Sequence, residues 1–189
     1  MNSTSQQKLF MLLLGCKPPG RHTEQHDVLF AIGQSPKDLI GQINDFWPEA
    51  VDKIHIDAWR EVTNVNGYQI TVVEKTSAKT GDKKLFFINL GGYQENQFDE
   101  QHYIVLSVNP DNASAVQGAK QTLFFRENEF EGASSHIDDK YAIDVDDLYD
   151  VEDILMPAIK EKYTIKITEA AGLPDDEMHL GYFKLSKLV

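Results

Sequence analysis

A chain of 189 residues, 41% hydrophobic and 25% charged, has the composition of a globular protein with one sizeable core or two small ones, which excludes disorder as its resting state. Eighteen basic against thirty acidic side chains give a formal charge of −12, which repels phosphate backbones and excludes nucleic acid as an expected partner. The longest apolar run, Leu9 to Leu14, is far below the roughly 20 residues of a membrane span and lacks a cationic leader; Cys16 stands alone, so no internal disulfide forms. No membrane partner is expected, and a reducing cytoplasm is the simplest location.

In chain order, "KLFMLLLG" from Lys8 is a short apolar run ending in glycine, which predicts a strand covered on both faces. The polar loop "CKPPGRHT" follows. A second strand begins at Glu24-Gln25-His26, with Val28, Phe30 and Ile32 at period two on the face that carries Glu24 and His26. Ser35-Pro36 then starts a helix whose buried stripe is Leu39, Ile43, Phe46 and Trp47. "KIHIDAWREV" predicts a third strand and the Tyr68 segment a fourth.

The order then repeats. Lys8-Leu9-Phe10, Gly15 and Glu24-Gln25-His26 recur 76 residues later as Lys84-Leu85-Phe86, Gly91 and Glu100-Gln101-His102. Five extra residues pair His55-Ile56-Asp57 with His136-Ile137-Asp138, and a longer insertion pairs Tyr68 to Val72 with Tyr163 to Ile167. The second helix begins near Asp111 and presents Val116, Ala119 and Leu123, and "ASSHIDDKYAI" predicts the second copy's third strand. These features predict an α+β protein made of two strand-strand-helix-strand-strand units, similar in element order to a β-grasp. The units run over residues 8–76 and 84–189, joined by a polar connector over 77–83. The second copy adds a helical insertion interrupted at Pro157 and, through "GYFKL", one more C-terminal strand. The two copies are expected to pack together, because one helix covers only one face of a sheet.

The segments "TEQHDVLFAIG", "KIHIDAWREVTNVNGY", "LFFINLGGY" and "SHIDDKYAIDVDDLYDVEDIL" resemble the bacterial family known as domain of unknown function 1543, from Lys8 to about Ile167. That resemblance implies a bacterial source and a tandem α+β unit. It brings no activity, substrate or cofactor.

The residues that carry chemistry are Glu24, His26, His55 and Asp57 with their second-copy counterparts Glu100, His102, His136 and Asp138. Two imidazoles and two carboxylates are a ligand set for Zn²⁺, Mn²⁺ or Fe²⁺ and serve equally for acid-base work. Period two opposes that use. Ile54 and Ile56 alternate with His55 and Asp57, so if the isoleucines face the core, His55 and Asp57 leave the sheet on the side opposite Glu24 and His26. The histidines are then expected to pin strand starts by hydrogen bonding, and only twist, a bulge or a two-sided core brings the four together.

The acidic run from Asp138 to Asp153 is expected to be a solvated face or turn. It is no calcium loop, because Leu148, Tyr149 and Leu155 occupy positions that need an oxygen ligand, a glycine and a closing glutamate. Cys16 is an incidental thiol, Gly91-Gly92 lacks the helix that a phosphate-cradling turn needs, and Trp47 and Trp59 are packing residues. The expected function is a non-catalytic binding module for a protein or small ligand, at the interface of the two copies where the loops Gly15 to Thr23 and Gly91 to Asp99 converge. The alternative is a metal-dependent hydrolase built on the Glu-x-His and His-x-Asp pairs. A more remote one is an acidic decoy for a basic partner. No particular cofactor, substrate or oligomeric state is specified.

Overall fold

Strand β1 (Lys8–Cys16) is apolar throughout because it is central: β2 (Gln25–Gly33) pairs with one edge and β3 (His55–Glu61) with the other, both antiparallel. In this computed structural model, which describes residues 6–50, 52–75, 81–92, 96–121 and 143–188, the chain divides into two compact units. Unit 1 comprises Met1–Thr80 and Ile154–Val189, and unit 2 Gly81–Asp153. This differs from the linear division at a connector over 77–83. The segment from Ile154 onward rejoins the first part of the chain because β9 (Tyr163–Glu169) and β10 (His179–Lys184) pair with β5 and β3.

Within unit 1 one sheet has the order β10-β3-β1-β2. Its even-numbered β1 residues Phe10, Leu12, Leu14 and Cys16 face Leu29, Ala31 and Ile56, and onto this layer folds the helix α1 (Ile40–Phe46), with Leu39 and Ile43 buried. A 3₁₀ turn, Pro36–Leu39, precedes the helix, and the Asp38 carboxylate accepts from the Ser35 backbone N–H at 2.9 Å, stopping the strand and starting the turn. The opposite face is buried too. Leu9, Phe30 and Ile32 are inaccessible there, and β5 (Tyr68–Glu74) packs against β1. Ordinary strand alternation thus produces a sheet with two apolar faces.

The second sheet of unit 1 has the order β4-β5-β9, with β4 spanning Asn64–Val65. Strand β5 does not return to the sheet of β1, so the β-grasp comparison finds no counterpart in this pairing. Its register centres on Thr71↔Lys166, and Tyr68↔Glu169 mirrors Glu74↔Tyr163. Among the described residues, no helix is long and apolar enough to cross a membrane.

Unit 2 has the sheet order β7-β6-β8. Strands β6 (Lys84–Gly92) and β7 (Gln101–Asn109) pair in the register of β1 and β2 displaced by 76 residues, Lys84↔Asn109 against Lys8↔Gly33. The helix α2 (Asn112–Ala119) is capped by Asp111, whose carboxylate accepts from the Ser114 N–H at 2.8 Å and is held below the usual carboxylate range by that bond. It buries Ala115 and Ala119 on Phe86, Ile88 and Leu90, where the sequence had placed Val116; Leu123 lies outside the described residues. The flanking strand is β8 (Ile143–Asp150), drawn from the acidic run expected to be a solvated face or turn. Single-turn helices Val151–Ile154 and Pro157–Lys160 form the insertion interrupted at Pro157.

One buried carboxylate ties the tail of the chain to unit 1. The Asp176 side chain is 1% exposed, and its Oδ1 accepts from the Thr63 Oγ1 (2.6 Å) and the Thr63 and Asn64 backbone N–H groups (3.0 and 3.2 Å). The half-buried Arg60 guanidinium stands 4.0 Å away, its pKa pushed down by burial and drawn back by Asp176. Replacing Asp176 leaves the donors of Thr63 and Asn64 without this acceptor and removes the carboxylate beside the Arg60 guanidinium. Asp176→Ala is expected to lower unfolding free energy by about 3 kcal/mol, measured by urea denaturation followed by circular dichroism.

Candidate functional site

The site is built on the absence of a side chain at Gly15. In the pairing of β1 with its two neighbours, Gly15 lies opposite His26 on one side and His55 on the other, so both imidazoles rise from the same face with bare backbone between them. Nearby, the β1–β3 register shifts: Leu13 pairs with Ala58 but Leu14 with Ile56, and Asp57 is the extra residue of a β-bulge. The bulge sends Trp59 to the helix-covered face, where it packs with Ile56, and leaves Asp57 beside His55.

The expectation that the two pairs occupy opposite faces is therefore corrected. Ile54 and Ile56 face the helical layer, whereas Phe30 and Ile32, the companions of His26, face the other buried layer. Period two is obeyed in β1 and β2 and broken in β3 only at the bulge. The apolar run of β1 had predicted cover on both faces; what sequence alone could not supply is that His26 and His55 share one of them.

The four residues touch in a closed circuit. His26 Nε2 is 3.1 Å from Asp57 Oδ2, Asp57 Oδ1 is 3.1 Å from His55 Nε2, His55 Nε2 is 3.3 Å from Glu24 Oε1, and Glu24 Oε2 is 3.8 Å from His26 Nε2. His55 is 3% exposed, whereas His26 and Glu24 are open to solvent, so the cluster has a buried wall and an open one. Both ring nitrogens of His55 and Asp57 Oδ2 are buried without a directional hydrogen bond. The carboxylate oxygens lie within ion-pair distance but off the N–H axis. Among the described residues, no three His, Cys, Asp or Glu side chains surround one point as metal ligands do.

Tyr182 of β10 lies on the His55 ring with centroids 4.1 Å apart, and it also lines an open cleft of about 630 Å³ whose wall includes Asn44, Lys53 and Lys184. The sequence reading missed Tyr182, Lys53 and Lys184, because nothing local to "GYFKL" announces that it flanks "KIHIDAW". The thiol of Cys16 is buried; burial pushes its pKa up, against the pull of Lys53 and with help from Glu24.

Unit 2 repeats the frame with different side chains. Gly91 lies opposite His102 and Asp144, and Asp146 is the bulge residue, since Asn89 pairs with Asp147 but Leu90 with Val145. His102 Nδ1 is 3.3 Å from Asp146 Oδ2, and His102 Nε2 is 3.8 Å from Glu100 Oε2. The residues at the places of His55 and Asp57 are thus Asp144 and Asp146, not His136 and Asp138, which lie outside the described residues. A signal for this was present. Ile56 and Trp59, like Val145 and Leu148, are apolar residues three apart in a strand, the mark of one inserted residue.

Three antiparallel sheets with a few short helices make this a mixed α/β protein carrying a His–carboxylate cluster on one sheet. Residues 21–72, which hold all four cluster residues, match the family described as Domain of Unknown Function (DUF1543), and that match supports placing the chain in the family through this segment. The fold is similar to that of protein Il1583 from Idiomarina loihiensis, with a TM-score of 0.63 and 22% identity over 95% of this chain and 98% of that one. No curated protein matches.

Two measurements check this geometry. Alanine in place of a strand glycine ordinarily stabilises, but a Cβ at Gly15 collides with the Asp57 carboxylate and with His55, which burial holds in place. Gly15→Ala is therefore expected to destabilise by about 1 to 3 kcal/mol in thermal unfolding. Alkylation of Cys16 by iodoacetamide in the native protein at pH 8 is expected to be at least about a hundredfold slower than in denaturant.

Proposed function

We propose that the protein is a binding module for a small acidic ligand, held in the unit 1 cleft with its polar end toward the Glu24–His26–His55–Asp57 cluster. The observation that carries this reading is the ring of Tyr182, which joins the cleft to the buried His55. The cleft has the size of a small-molecule site and one aromatic wall, and on its lining the ammonium groups of Lys53 and Lys184 outnumber the carboxylate of Asp52, which favours an acidic group. It needs only unit 1, whereas the earlier expectation placed the site at the interface of the two copies.

We also infer that the chain arose by internal duplication, the two copies exchanging their later strands. Three features support it: the register displaced by 76 residues, the bulge at Asp57 and again at Asp146, and the ion pairs Lys8–Glu61 and Lys84–Asp150, both 2.8 Å. The register of β5 with β9 is symmetric about Thr71 and Lys166, which are twins in the comparison of the sequence with itself. On this reading the second copy traded one imidazole for a carboxylate, and the first kept the binding role. A bacterial cytoplasmic protein remains our assignment of source and location.

A second reading, a metal-dependent hydrolase, is favoured by the contact of imidazole with carboxylate, which is acid-base equipment. Turnover of an ester or phosphoester that disappears in Asp57→Asn would select it over binding alone.

The binding reading is checked by thermal shift with a panel of small carboxylates and phosphomonoesters. A ligand at a hundred times its Kd adds about 2.7 kcal/mol, or roughly 5 to 10 °C in a chain of this size. At least one compound is expected to produce such a shift and to lose it in the Lys53→Ala/Lys184→Ala variant. A silent panel, together with native mass spectrometry of unaltered protein showing no retained small molecule, overturns it.

A further inference from the structure

We propose that β10 is an interaction surface for a second copy of this chain, the two β10 strands pairing antiparallel about a two-fold axis at Gly181 so that one sheet runs through both molecules. In the order β10-β3-β1-β2, β10 is the outermost strand, and no further strand lies beside it among the described residues. The outer backbone groups of such a strand are a template for another one.

The side chains show which face of this edge is unpartnered. Period two holds along β10. His179 stacks on Trp59 with centroids 3.9 Å apart, and Phe183 packs on the helix-covered layer, so these odd-numbered residues are used within unit 1. The even-numbered ones point the other way. Met178, Leu180 and Tyr182 are 55%, 73% and 63% exposed, with Tyr182 touching the His55 ring along one side only. Three large apolar side chains in a row on a sheet edge make a surface suited to burial against a partner.

Charge selects the occupant. The strand is entered through exposed acidic residues, Asp175 and Glu177, and left through exposed basic ones, Lys184 and Lys187. A second copy running antiparallel brings each acidic head to the other's basic tail, twice over by symmetry, whereas a parallel copy sets like charges together. The same arrangement matches the apolar residues. With Gly181 on the axis, Leu180 lies beside the partner's Tyr182 and Tyr182 beside the partner's Leu180. Gly181 itself, with a φ of 151°, leaves the axis clear of side chains where the two backbones meet. A six-residue strand spans about 20 Å, so the contact is small and the dissociation constant is expected between about 1 and 100 µM.

Sedimentation equilibrium of the full chain at about 1 to 200 µM tests the proposal. The mass is expected to rise from that of one chain to that of two across this range. Leu180→Lys is expected to weaken association at least about tenfold and to leave circular dichroism and thermal unfolding unchanged, because that side chain is exposed in the single chain. Glu177→Lys and Lys187→Glu, each alone, set like charges together and are expected to weaken association at least about threefold. Mixed as separate chains in equal amounts, these two variants carry opposite charges wherever head meets tail, and native mass spectrometry is expected to show the mixed dimer above either homodimer. These charge variants lie outside β10 and decide the matter should Leu180→Lys not fold. A chain that stays single at about 200 µM overturns the proposal, as does a dimer that Leu180→Lys leaves intact. A mixture that pairs no better than its separate components also overturns it, because the antiparallel arrangement requires the rescue.

Discussion

Everything at the candidate site depends on one steric fact, that the central strand of the first sheet carries, one residue before its end, a residue without a side chain. Two strands flanking a third lie roughly 10 Å apart, too far for their side chains to meet over an ordinary residue. At Gly15 the space above the middle strand is free, and His55 and Asp57 lean into it. A β-bulge completes the arrangement by giving Asp57 a place beside His55 while restoring the apolar alternation beyond it. Glycine, bulge and paired imidazoles form one device, and each is without purpose alone.

The same device in unit 2 shows how far the backbone constrains what a site becomes. Gly91 and the bulge at Asp146 reproduce the platform, and His102 reproduces His26. Position 144 holds aspartate where position 55 holds histidine. His102 is also 3.4 Å from the Asn89 amide, where β1 carries Leu13 at the corresponding register.

Stability and site are linked through the C-terminal tail. Asp176 anchors the segment before β10 by gathering the donors of Thr63 and Asn64, and β10 then runs along β3 with Phe183 opposite Ile56 and Lys184 opposite His55. Tyr182 and Lys184 reach the site only through that pairing. The cleft is therefore made by residues more than a hundred positions apart, and no local pattern in either segment foretells the other.

Hairpins were legible in the amino-acid order, because β1–β2 and β6–β7 are local pairings whose apolar runs, glycine ends and repeated Glu-Gln-His triplets announce themselves. So was the first helix, from Ser35-Pro36 and its buried stripe. The third strand of unit 2 was not, since its acidic residues made Asp144 to Asp150 read as a solvated face or turn, and the inserted Asp146 breaks the period two that would have marked a strand. Nor was the convergence of His26 with His55, because periodicity states which residues of one strand share a face and says nothing about which face of a sheet another layer will cover. The sequence by itself thus determined the strands, their sidedness and the chemistry available. Tertiary structure alone decided which strands became neighbours, which layer covers each face of the first sheet, and that four polar residues meet above Gly15, because strand partnership is set by burial summed over the whole chain and not by any stretch of it.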